Sequence, residues 1–153
     1  MKTLQILALL IACSTFFAKG KEDLLKQSME LSNTEIVDIL SDPSEIEYLR
    51  ENCDTELDPR LILVNILVER NVIRSKFKED IVNRELRIGM NKEEIQCILG
   101  QPYDLREEWI TPSLDRNSSH FSFKEEVLYF KLPDQTRIKV KFREGISMRF
   151  DRF

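Results

Sequence analysis

Residues 86–102, LRIGMNKEEIQCILGQP, hold the densest set of local signals in the chain. Asn91 is a strong N-cap, and Glu94 three residues on completes a capping box that satisfies two free amide donors at once. Met90 before the cap and Ile95 beyond it are spaced as a hydrophobic staple. Ile95, Ile98 and Leu99 share one side at helical spacing, and Gly100, with Pro102 just past it, stops the run. The spacing predicts a short, sharply bounded helix, with Cys97 across it from the apolar stripe. Its two glycines are better explained by backbone geometry than by phosphate binding, so the unit reads as packing without chemistry.

The same punctuation recurs upstream. Ser32-Asn33-Thr34-Glu35 opens a helix with Ile36, Val37, Ile39 and Leu40 apolar. Asp42-Pro43-Ser44-Glu45 ends that helix and caps a second, because proline is pre-set for the first helical position. Asp58-Pro59 starts a third, whose apolar run from Leu61 to Val68 is predicted to continue through Glu69-Arg70-Asn71 to Val72 and Ile73. Phe77 to Arg84 reads as a further short helix with Phe77, Ile81 and Val82 inward.

After Pro102 the helical period gives way to strand alternation. Trp109-Ile110-Thr111 predicts a first strand, with Trp109 packed on the sheet or core, and 112–119 a polar loop. Phe121 to Phe123 with Val127 to Leu132 predicts a second strand, and Pro133-Asp134-Gln135 a turn. Ile138, Val140 and Phe142 then alternate with Arg137, Lys139, Lys141 and Arg143, which sets four bases on the face opposite the apolar set. Glu144-Gly145 makes a hairpin into a last strand carrying Ile146, Met148 and Phe150. The expected fold class is α+β, with N-terminal helices packed on a C-terminal three- to four-stranded antiparallel β-meander that keeps one wet face.

The pattern Gly89-Met90-Asn91-Lys92-Glu93-Glu94-Ile95, then Leu99-Gly100-Gln101-Pro102, resembles the signature of the SmpA/OmlA family. These are BamE-like bacterial envelope lipoproteins with two helices against a three-stranded antiparallel sheet. The resemblance continues in order through Trp109 and the C-terminal hairpins. It implies a BamE-like or β-lactamase-inhibitor-like fold and non-catalytic work, as a scaffold or accessory subunit in outer-membrane protein assembly or envelope integrity. Similar small domains also occur in inhibitor-like proteins, so the alternative is a secreted or periplasmic protein that docks onto an enzyme. The organisation expected is a signal peptide over 1–20, a helical extension over 21–76 and an SmpA/OmlA-like domain over 77–153.

The leader begins with Lys2 and is apolar from Leu4 to Ala18 apart from Gln5, Ser14 and Thr15. It is too short for a comfortable bilayer span and reads as a secretory signal. Leu10-Ile11-Ala12-Cys13 looks like a bacterial lipobox, in which Cys13 would be diacylated and anchor the chain, and Ser14 after it is compatible with outer-membrane sorting by analogy. Cleavage near Ala18-Lys19-Gly20 would instead release it. Either way Cys53 and Cys97 remain as an even pair, which a disulfide could join in an exported protein.

Charge divides the chain. From Lys21 to Asp58 twelve carboxylates face three bases, whereas from His120 to Phe153 eight bases face five acids, within a net charge of −4. The stripe of Arg137, Lys139, Lys141 and Arg143 is the best surface candidate, for anionic headgroups or for an acidic envelope protein. Its plainer reading is a soluble strand face guarded against edge pairing. The acidic balance and export leader argue against nucleic acid. His120 is the only histidine, so no histidine metal cluster or catalytic set can be assembled, and Glu93/Glu94 and Glu107/Glu108 are adjacent residues that diverge. With four glycines and no Gly-rich loop, no cofactor or small-molecule substrate is expected.

Overall fold

Four of the described helices start on side chains that take up the first free amides. In the computed structural model, which describes residues 28–52, 57–110 and 123–153, α1 (Asn33–Ser41) opens on a complete capping box between Ser32 and Glu35. At α2 (Pro43–Asn52), Asp42 Oδ1 accepts from the Ser44 amide at 2.9 Å. At α3 (Pro59–Glu69), Asp58 Oδ1 accepts from the Arg60 amide at 2.8 Å. A 3-10 turn, Ser75–Phe77, leads into the five-residue α4 (Lys78–Val82). The last helix, α5 (Lys92–Leu99), carries the expected box between Asn91 and Glu94, with Met90 and Ile95 fully buried as its staple.

Two helical expectations are corrected. The third helix stops at Glu69, because Asn71 adopts a left-handed φ of 56° and the Val72 amide turns back to the Leu67 carbonyl at 2.9 Å. That is a Schellman closure with asparagine in the place usually held by glycine. Cys97 does not lie across α5 from the core; it is wholly buried beside Ile95 and Ile98, while Leu99 is only half-buried.

Four strands, β1 (Asp104–Ile110), β2 (Phe123–Lys131), β3 (Arg137–Arg143) and β4 (Ile146–Arg152), pair antiparallel in chain order as an open α+β meander. The register sets Leu105, Leu128, Val140 and Phe150 in one row across the helix-facing side. Leu128, Phe130, Ile138, Val140 and Phe142 join Ile36, Leu40, Leu63, Leu67, Ile81, Met90 and Ile95 in one buried cluster. Each such side chain contributes roughly 1.5–3 kcal/mol by leaving water. Segments 28–76 and 77–153 therefore share a core.

The first strand begins five residues before Trp109, at Asp104. Its mixed charges leave little alternation to read. A register shift between Lys141 and Phe142 turns Ser147 inward and leaves Met148 exposed.

The loop that opens the 86–102 stretch closes one edge of this sheet. The Gly89 amide donates to the Ser147 carbonyl at 2.9 Å, and the Ser147 amide donates to the Met90 carbonyl at 2.8 Å. Gly89 sits at φ +95°, which L side chains rarely adopt. The glycine before Met90 is thus a device for laying the loop along β4.

Candidate interaction surface

Two glutamates are withdrawn from solvent, and they differ in how they are satisfied. Glu94 has no exposed surface. Its Oε1 accepts from the Arg74 amide at 2.8 Å and from Arg74 Nε at 2.9 Å; its Oε2 accepts from Arg74 Nη2 at 2.6 Å and from the Asn91 amide at 2.8 Å. Arg74 Nη2 also donates to the Gly89 carbonyl at 2.6 Å, so the ion pair holds the loop that caps β4. The hydrogen bonds to Glu94 push the Arg74 guanidinium further up. A carboxylate with four donors around it has no lone pair to spend on a substrate, and this buried pair is structural.

Other arginines do comparable work. Arg84 donates to the carbonyls of Ser41 and Ile98, at the ends of α1 and α5, and burial lowers its pKa. Arg60, buried at the start of α3, donates to Leu40 O at 3.1 Å, and burial likewise lowers its pKa. Each meets helix-end carbonyls that have no partner inside their own helix.

Glu125 lies on the opposite, helix-free face of the sheet. It is 7% exposed beneath two members of the basic stripe: Arg143 Nη2 at 2.7 Å and Lys141 Nζ at 4.0 Å. Lys139 stands over the Tyr129 ring at 5.7 Å, and Arg106 of β1 covers the same ring at 5.1 Å. Tyr129 contacts Tyr103 at 6.3 Å between centroids and meets Phe153 edge-on at 6.5 Å. Arg137 and Phe153 pair through their backbones at the end of the stripe. The predicted line of bases is real, and the structure divides it. Lys141 and Arg143 neutralise Glu125, while Arg137 and Lys139 flank an aromatic cluster whose Tyr103 and Phe153 are exposed. The sequence reading missed this cluster, since its members come from positions 103, 106, 129, 139 and 153 and share a face only once the register is known.

Trp109 is not the core residue expected. On β1, the last strand of the sheet on that side, it is 70% exposed, and Leu105, four residues back on the same face, is 52% exposed. Cys97 is a buried free thiol whose pKa burial pushes up to about 12, so it is protonated at neutral pH. The signal peptide, Cys13, Cys53 and His120 lie outside the described residues. Among the described residues, no group of three or more His, Cys, Asp or Glu side chains could hold a metal ion, and no helix is long and apolar enough to cross a membrane.

The architecture defines a small α+β domain whose sheet has one face in the core and one carrying a cationic and aromatic surface. Compared with known proteins, the chain matches no family model, no curated protein and no solved structure.

Proposed function

We propose that this is a non-catalytic binding protein of the cell envelope, which presents the helix-free face of its sheet to an acidic protein partner. The observation that supports the reading is the cluster of Tyr103, Tyr129 and Phe153 set among Arg106, Arg137 and Lys139. Aromatic and arginine side chains are enriched where protein surfaces bind tightly, because they combine large apolar area with polar reach. The leader reading and the SmpA/OmlA resemblance add the compartment and a BamE-like scaffold role, with Cys13 as the lipid anchor of an outer-membrane lipoprotein. The second reading, a released inhibitor-like protein docking onto an enzyme, uses the same face.

Capture from envelope extracts tests the surface, with Arg137→Glu combined with Lys139→Glu as the probe. These two are chosen because reversing Lys141 or Arg143 would strand Glu125 and disturb the sheet itself. The double variant should fold normally and lose the captured protein; retention at full yield would end this assignment of the face. Cys13→Ala should abolish membrane fractionation and acyl labelling if the chain is lipidated, and change neither if it is released.

A further inference from the structure

The two edges of the sheet are finished differently. The outer side of β4 is paired at Ser147 by Gly89 and Met90, whereas no described strand or loop pairs along the outer side of β1. An edge strand that also presents Leu105 and Trp109 to water is a template for another strand. The geometry points to a second copy of this chain as the occupant, with β1 pairing antiparallel to β1 about a two-fold axis through Glu107 and normal to the sheet.

The register carries this assignment. A two-fold axis normal to the sheet keeps helix-facing residues opposite helix-facing residues, so only pairings centred on a residue are allowed. Centred on Arg106, the strands set arginine against arginine, Leu105 against Glu107 and Asp104 against Glu108. Centred on Glu108, they set glutamate against glutamate and Glu107 against Trp109; centred on Leu105 or Trp109, only three residues of each strand overlap. Centred on Glu107, Leu105 meets Trp109 of the other copy on the helix-facing side, and Arg106 meets Glu108 on the other side, each pair occurring twice.

The like-charge contact left at the axis is Glu107 against its own copy, and Lys124 Nζ already holds that carboxylate at 2.5 Å. Glu108 lies opposite Glu125 within its own sheet, so the second copy's Arg106 would supply a base beside a pair of acids. The product is a continuous eight-stranded sheet in which both basic faces lie on one side. A seven-residue edge is a small interface, which places the dimer in a weak, micromolar or looser range.

Trp109 is the sole tryptophan and reports directly on the contact. The full chain is followed by sedimentation and by tryptophan emission from low micromolar to millimolar concentration, as wild type, Arg106→Glu, Glu108→Arg and the double reversal. Wild type should form a dimer with concentration while its emission shifts to the blue. Each single reversal, placing like charges at two positions, should weaken the dimer about tenfold, and the double reversal should restore it. Arg106 also pairs with Asp104 at 3.0 Å, so Glu108→Arg alone gives the same clash if Arg106→Glu fails to fold. A monomer at every concentration, a dimer indifferent to the single reversals, or a double reversal no tighter than the singles would each overturn the assignment.

Discussion

The edges of one sheet show two ways of ending hydrogen-bonded structure. At β4 the chain completes the edge itself: Gly89 and Met90 bond to Ser147, Arg74 holds Gly89, and Glu94 holds Arg74. At β1 nothing in the described chain does the same, and Leu105 and Trp109 stand exposed along it. The first edge is internal architecture and the second is a surface held ready for contact. Substitutions should therefore divide sharply, with stability lost at the capped edge and association altered at the bare one.

Glu94→Ala should produce the largest loss, about 3 kcal/mol by chemical denaturation, because it leaves Arg74 and two backbone amides without their acceptor. That is the low end for a broken buried pair, since Arg74 keeps 37% of its side chain in water. Gly89→Ala should cost about 1–2 kcal/mol from backbone strain at positive φ. The new Cβ would sit 3.7 Å from Phe77 Cζ, an ordinary contact that adds no clash.

Cys97 gives a pH signature on α5. Its folded pKa is raised to about 12, above the unfolded thiol, so between about 9 and 12 the unfolded chain loses a proton that the folded chain keeps. Stability should be unaffected at neutral pH and fall as pH climbs through that window. Cys97→Ala should flatten the fall in a pH series of denaturation midpoints.

Trp109→Ser should be the mildest change to folding, within about 0.5 kcal/mol when measured in dilute monomer. A loss near that of Glu94→Ala would erase the distinction between the edges.

What could be read before any coordinates was local. Ser32 with Glu35, Asp58 with Pro59 and Asn91 with Glu94 each announce a helix start within four residues, and all three starts are where they were expected. The alternation of β3 likewise placed its four bases on one face. What failed to show depends on partners distant in sequence. Arg74 meets Glu94 across twenty positions, and Glu125 is covered by Lys141 and Arg143, which in the sequence belong to a stripe read as one surface. Trp109 looked like core because tryptophan usually is, but its exposure follows from β1 lying at an edge, a property of strand order and not of composition. Asn71 concealed a helix end because asparagine is a weaker signal for a left-handed turn than glycine.

The most direct test of a bare edge opposite a capped one is amide hydrogen exchange along both edge strands over a wide range of protein concentration. The Ser147 amide should stay protected throughout, while the outward amides of β1 exchange freely in dilute solution and gain protection as the concentration rises. Equal, concentration-independent protection at the two edges would contradict the account.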